Sequence, residues 1–265
     1  MDTVTELSGG NMSRVYKKEG AVYRDLKPQS HTIHRLLKHL ENKGASFTPR
    51  FLGLQDTTQE MLSFVEGNTL DDYPAALDME QKCLTVRLAA ELLRQYHDAT
   101  LDFKRLPDDV WFLQYDGPLK QEVICHNDFA PYNVTFQEHT PIGIIDFDTA
   151  CPGPRIWDVA YAAYRFVPLG IEVYDPKNKE YRKYHKEKDA NERRILLHEF
   201  LSAYGMDDTF ELLRQVLLRL EAMVALFDWE CKKGKAAFLK MKEEGHQDFY
   251  RNEIIFIKES MADWI

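Results

Sequence analysis

Apolar and polar positions alternate along residues 5–27, broken at Gly9-Gly10 and again at Gly20, which predicts two short strands joined by turns. The period then changes. From Ser30 to Lys43, Ile33, Leu36, Leu37 and Leu40 recur at helical spacing, and Gly44 supplies a stop. Pro49–Leu54 and Glu60–Val65 return to strand-like runs, with Glu66-Gly67 breaking the second. Met79 to Thr100 predicts a long amphipathic helix. Two short apolar runs, Val123–Cys125 and Ile142–Ile145, read as buried strands that hold polar residues at their ends. Trp157–Phe166, Asn191–Tyr204 and Thr209–Lys233 carry helical patterns. The charged run Tyr174–Arg194 reads as a mobile loop or solvated helix, or alternatively as an insertion beside a substrate site.

A chain of 265 residues accommodates one large domain or two lobes around a cleft. Hydrophobic content of 44% and charged content of 29% are those of a globular protein in water. No apolar run approaches the ~18 residues of a membrane span, and the start, Met-Asp-Thr-Val-Thr-Glu, lacks the pattern of a signal peptide. Cys83, Cys125, Cys151 and Cys231 show neither CxxC nor zinc spacing, so buried thiols in a reducing cytoplasm are expected. The net charge of −9 argues against a nucleic-acid binder. It is unevenly spread. Residues 1–64 hold nine Lys/Arg and seven Asp/Glu, and the other 25 basic and 36 acidic residues fall in 65–265. A slightly basic front suits a polyphosphate and an acidic remainder suits a cationic small molecule, although acids that merely solvate helices would give the same balance.

The two apolar runs lead into the densest chemistry. Ile124-Cys-His-Asn-Asp-Phe-Ala-Pro-Tyr-Asn-Val134 is followed by Ile144-Ile-Asp-Phe-Asp148. One such Asp is most often a turn or cap residue. Here Asp128, Asn133 four intervening residues later, and Asp146 thirteen beyond it come in fixed order, with His126 just ahead. Phosphoryl transfer needs that set: one carboxylate to take the hydroxyl proton, and an amide oxygen with a second carboxylate to hold Mg²⁺ against nucleotide phosphates.

His126–Asn133 with Ile145–Asp148 resembles the aminoglycoside phosphotransferase and choline kinase family, which shares its fold with protein kinases. The likeness continues through Pro152-Gly-Pro-Arg-Ile-Trp-Asp-Val-Ala160 and reaches back to Leu92–Ala99. It covers most of residues 5–168, and the last hundred residues match loosely. The resemblance implies an α+β, two-lobed kinase-like fold with a β-rich N-lobe over 1–65 and a helical C-lobe over 66–265.

It also implies roles. Asp128 is the expected base, Asn133 and Asp146 the Mg²⁺ ligands, and ATP (or GTP) the co-substrate. His126 should brace the loop by hydrogen bonds, Asp148 assists the metal site or nearby backbone, and Asp158 is structural. Gly9, Gly10 and Asn11 would let backbone N–H groups approach phosphate oxygens, or form only a turn. Ser63 and Val65 would give adenine a backbone donor and acceptor, with Leu62 lining the pocket. Where kinases carry a Lys on the third strand, Ala21-Val22-Tyr23-Arg24 carries Arg, with Lys27 as competitor. Its acidic partner is unassigned: Glu41 lies near the end of the following helix, and His34 stands where an acid is expected. The string Arg24-Asp-Leu-Lys-Pro28 mimics a protein-kinase catalytic loop, but it comes too early and lacks the flanking His and Asn. The expected reaction is transfer of a γ-phosphoryl group to a hydroxyl of a small molecule, aminoglycoside-like or an amino alcohol. The alternatives are a metabolic kinase for choline, an amino acid or a sugar, and a catalytically silent nucleotide binder.

Overall fold

The computed structural model describes the backbone of Thr5 and Glu6 and residues 15–70, 77–175 and 177–265. Gly9, Gly10 and Asn11 lie outside the described residues. The first part is an antiparallel sheet of β1 (Thr5–Glu6), β2 (Val15–Lys18), β3 (Ala21–Asp25), β4 (Phe51–Leu54) and β5 (Gln59–Ser63), in the order β1-β2-β3-β5-β4. Helix α1 (Ser30–Asn42) crosses between β3 and β4 and buries Ile33, Leu36, Leu37 and Leu40, the stripe its spacing predicts.

The linker behind β5 is tied to the rest of the chain. Asn68 and Phe136 exchange backbone hydrogen bonds of 3.0 and 2.8 Å. Gly67 makes that approach possible: its φ is +106°, and a Cβ there would stand 2.8 Å from the Phe136 carbonyl oxygen. Helix α1 is docked on residues 99–110. Arg35 reaches Asp109 and donates to the Lys104 carbonyl at 2.7 Å, His39 bonds the Ala99 carbonyl at 2.8 Å, and Val110 N–H donates to Thr32 Oγ1 at 2.9 Å.

The remainder is mostly helical. α2 (Met79–Thr100) starts in a capping box between Asp78 and Gln81 and buries Val86, Ala89, Ala90, Leu93, Tyr96 and His97. Two short ribbons follow, β6 (Val123–Cys125) with β9 (Cys151–Gly153), and β7 (Val134–Gln137) with β8 (Thr140–Ile144). Helix α3 (Arg155–Phe166) leads to a hairpin of β10 (Glu172–Asp175) and β11 (Glu180–Lys183). Then come α4 (Lys186–Tyr204), α5 (Thr209–Lys232), α6 (Ala236–Glu243) and α7 (His246–Ser260). The charged run 174–194 is therefore the end of a hairpin and the first half of α4. Its residues hide the strand period because charges occupy both faces; the register is carried by backbone pairing, and the Arg182–Asp189 ion pair at 2.6 Å ties β11 to α4. No described helix is long and apolar enough to cross a membrane.

Candidate active site

The segment that carries Asp128 is fastened from beneath. β6 delivers the chain into His126 with all three of its residues buried. Asp158, fully buried on the first turn of α3, accepts the backbone N–H of His126 at 2.6 Å and of Asn127 at 2.8 Å. Its Oδ2 also bonds His97 Nε2 at 3.0 Å, and His97 Nδ1 accepts from the Tyr204 hydroxyl at 2.6 Å. Burial opposes the charge on Asp158, but these donors outweigh it and hold the carboxyl below the ordinary carboxylate value. His97, Cys125 and Asp158 come close enough to suggest metal ligands, yet both His97 nitrogens are already committed.

The loop that results is strained. Asn127 has φ +64° and Asp146 φ +58°, the left-handed region that costs non-glycine residues energy. At Asn127 the cost is offset by the two N–H bonds around Asp158, by Arg219 donating to its carbonyl at 2.7 Å, and by its own amide donating to the Thr149 carbonyl at 3.0 Å. His126 ties the two strained points together. Its Nδ1 accepts the Asp128 N–H at 3.3 Å and its Nε2 bonds the Ile145 carbonyl at 2.9 Å, next to Asp146. Burial lowers its pKa. A neutral ring used at both nitrogens braces the loop rather than moving protons.

Asp128 is set in this frame beside Asn133. The Asn133 amide donates to the Asp128 carbonyl at 3.0 Å and to Asp128 Oδ2 at 2.8 Å, which leaves its amide oxygen for a cation. Ala130 is extended (φ −145°, ψ 163°) ahead of Pro131, as an X-Pro step requires. Tyr132 donates its hydroxyl to Asp128 Oδ1 at 2.7 Å and lies 3.0 Å from the Tyr161 hydroxyl. An acceptor hydroxyl would make the same bond to Oδ1. Burial raises the Asp128 pKa against the pull of Tyr132 and His126, as suits a base. The Ile145 N–H donates to the Asn133 carbonyl at 2.9 Å, which brings Asp146 to the same edge. The Asp146 side chain keeps 47% of its surface exposed.

From the sheet, Arg24 meets these acids. Its Nη2 lies 2.9 Å from Asp148 Oδ1 and its Nη1 3.5 Å from Asp146 Oδ1. Lys27 also pairs with Asp148. Strand alternation would send Arg24 and Lys27 to opposite faces. It does not apply, because β3 ends at Asp25 and the chain turns before Lys27. Burial opposes the Asp148 charge, but Arg24 and Lys27 more than offset it and hold that carboxyl low. The acid behind Arg24 is Glu60, directly opposite it in the β3–β5 ladder, 2.5 Å from Nε and also bonded to His34 on α1. Its sequence signal is its phase: in β5 Glu60 shares the buried face with Leu62, where a lone carboxylate is costly. Arg219, Tyr132 and His97 carry no such signal.

At the linker, Leu62 is buried in β5, paired with Val22 and Phe51. Ser63 cannot be the nucleobase donor. Its N–H already donates to the Arg50 carbonyl at 2.8 Å, inside the sheet, which leaves only its carbonyl for that task. The Val65 side chain packs over Gly143, where a Cβ would collide with it.

Residues 104–194 match the family model described as the phosphotransferase enzyme family. The trifolitoxin immunity protein of Rhizobium leguminosarum bv. trifolii is 31% identical over 173 residues, 64% of this chain; the match spans 62% of that protein's length, less than two thirds. In fold, the chain is similar to the gentamicin complex of APH(2")-IIa, with 15% identity, a TM-score of 0.61, and 95% and 93% of the two chains covered. It is equally similar to a choline kinase of Cryptosporidium parvum Iowa II, with 11% identity, a TM-score of 0.62, and 99% and 90% covered. Residues 104–194 are thus similar to the phosphotransferase enzyme family, and the chain has the two-lobed, protein-kinase-like fold seen in the aminoglycoside phosphotransferase and choline kinase structures.

Proposed function

We propose that the chain is a kinase that moves the γ-phosphoryl group of ATP (or GTP) to a hydroxyl of a small molecule. The observation that carries this reading is the convergence of Asp128, Asn133 and Asp146 on one braced edge, with Arg24 reaching Asp146 and Asp148 from the sheet. Residues 1–65 would bind the nucleotide, and 66–265 would supply the catalytic loop, metal site and acceptor site.

The donor set fits a hard divalent cation such as Mg²⁺: a half-exposed carboxylate (Asp146), the Asn133 amide oxygen and Asp148 nearby are all oxygen donors. When bound, such an ion neutralises charge developing on the phosphates. The chain's own residues do the rest. Asp128 Oδ1 exchanges the Tyr132 hydroxyl for that of the acceptor, orients it and receives its proton. Arg24, with Lys27 close by, offsets negative charge at the roof of the cleft. Leu62 and Val65 lie along the nucleobase side.

The acceptor we favour is aminoglycoside-like or an amino alcohol, the classes named for the gentamicin-bound and choline kinase neighbours. The immunity-protein relative supports a second reading, in which the modified hydroxyl belongs to a toxin. A phosphate-transfer screen with MgATP and MgGTP would test both, against aminoglycosides, choline, ethanolamine, amino acids, sugars and trifolitoxin. Transfer to one class assigns it. Absence of both transfer and nucleotide hydrolysis would sink the enzymatic reading and leave a silent binder.

A further inference from the structure

We propose that Glu60 and His34 form a clamp that aims Arg24 into the cleft, taking the place of an acid carried on α1; the consequence for nucleotide rests on the kinase reading above. Helix α1 has one carboxylate, Glu41, on its last turn, and that side chain is exposed and 3.9 Å from Arg50. It offers Arg24 nothing. Glu60 does, from β5. It is fully buried, and each of its oxygens has one partner: Oε1 takes Arg24 Nε and Oε2 takes His34 Nε2.

The geometry explains the choice of Arg. The Nε edge of the guanidinium is held by Glu60, so Nη1 and Nη2 turn toward Asp146 and Asp148. A planar fork can be gripped on one edge and work on the other, whereas an ammonium on a flexible stem has no second edge. His34 completes the clamp. Its ring stacks on Phe51 with centroids 3.7 Å apart and an interplanar angle of 15°. It also belongs to the helix that Thr32, Arg35 and His39 dock on residues 99–110. The aim of Arg24 therefore depends on where α1 sits against the helical lobe. A displacement of α1 would draw His34 off Glu60 and leave the buried carboxylate with one partner.

Two measurements on the full chain test the clamp. The first is calorimetric titration of MgATP and MgGTP into wild type, Glu60→Gln, His34→Phe and the double variant His34→Glu/Glu60→Gln. The second is the rate of phenylglyoxal labelling of Arg24, followed by peptide mass mapping without nucleotide. Glu60→Gln should weaken nucleotide binding about tenfold or more, the scale of one charge-assisted hydrogen bond, and speed labelling of Arg24. His34→Phe keeps the stacked ring on Phe51 and should show the same changes, less strongly. The double variant returns a carboxylate to the cluster from α1 and should recover most of both losses, which a purely structural role would not predict. Wild-type affinity and labelling in Glu60→Gln would overturn the proposal, as would a double variant no better than Glu60→Gln. If Glu60→Gln does not fold, unchanged labelling in His34→Phe overturns it alone. A wild-type protein that binds neither nucleotide would remove the kinase reading, while the labelling rates would still decide whether Glu60 and His34 hold Arg24.

Discussion

Asp128 and Arg24 both lie near Asp146, one from the loop and one from the sheet, and they are held in different ways. Beneath Asp128 the restraints run through the backbone: Asp158 takes two consecutive N–H groups, Arg219 takes a carbonyl, and His126 joins the loop to the residue before Asp146. Around Arg24 they run through side-chain charge alone, with Glu60, Asp146 and Asp148 sharing one guanidinium. A backbone-anchored carboxylate keeps its place when nothing is bound. A charge-anchored cation keeps its place only while its partners keep theirs, so on the kinase reading proposed above it would exchange Asp146 and Asp148 for phosphate oxygens without unfolding anything.

The sharpest way to break this contrast is at Asp158. Asp158→Asn puts an amide N–H among donors that need an acceptor, and it leaves the His126 and Asn127 N–H groups and His97 Nε2 with a weaker partner. Loss of one partner in such a site costs about 3–5 kcal/mol, and turnover should fall with it. The pH dependence has a definite sign. The folded-state pKa of Asp158 is depressed, so its contribution is present above the ordinary value of about 4 and is lost as pH falls through the lower folded value. The melting temperature of wild type should therefore fall on acidification through that window, and the variant, already less stable, should show a flatter acid limb. Equal acid sensitivity in both would remove Asp158 as the anchor.

Asp128 should give the opposite result in the same loop. Burial raises its pKa, so its ionised form costs the folded state stability near neutral pH. Asp128→Asn should lower turnover by about 10² or more, the usual scale for loss of a general base, while the melting temperature stays level or rises. Turnover is read on nucleotide hydrolysis or on whichever acceptor the screen finds. Near wild-type turnover, or a fall in melting temperature like that of Asp158→Asn, would make Asp128 another structural acid.

How far each side was legible in the sequence follows the same division. Asp128, Asn133 and Asp146 lie within 19 residues, and short strands leave little freedom in where they go. Asp158 stood out as structural, but its partners are the loop backbone and His97, and backbone groups leave no mark in a sequence. The sheet side was harder. Arg24 and Glu60 are 36 residues apart and meet only through the β3–β5 register. His34 in place of a helix acid was visible as an anomaly, but its meaning needed Glu60. Of the backbone donor and acceptor expected from Ser63 and Val65, Ser63 has only its carbonyl to offer, because the Arg50 carbonyl just ahead of β4 already takes its N–H. The hairpin at 172–183 was missed because its charged faces carry no apolar alternation.

The smallest expected effect separates the two cations of the roof. Both reach Asp148, but their surroundings differ: Arg24 is 8% exposed and gripped by Glu60, whereas Lys27 is 21% exposed and lies just past the end of β3. An ion pair open to solvent on one side is worth about 1 kcal/mol or less, or roughly fivefold in affinity. Lys27→Ala should therefore raise the dissociation constant for MgATP by about that factor. Arg24→Ala also strands Glu60 in the core, so it should cost about tenfold or more, and Arg24→Lys should recover only part because it cannot serve both edges. Calorimetric titration of the three variants at low and high salt would rank them. Added salt should shrink the Lys27→Ala effect and leave the Arg24→Ala effect nearly intact, because screening acts more on the less buried pair. If Lys27→Ala proves the more damaging change, Lys27 is the phosphate cation, and Arg24 with Glu60 becomes a buried strut between the sheet and α1.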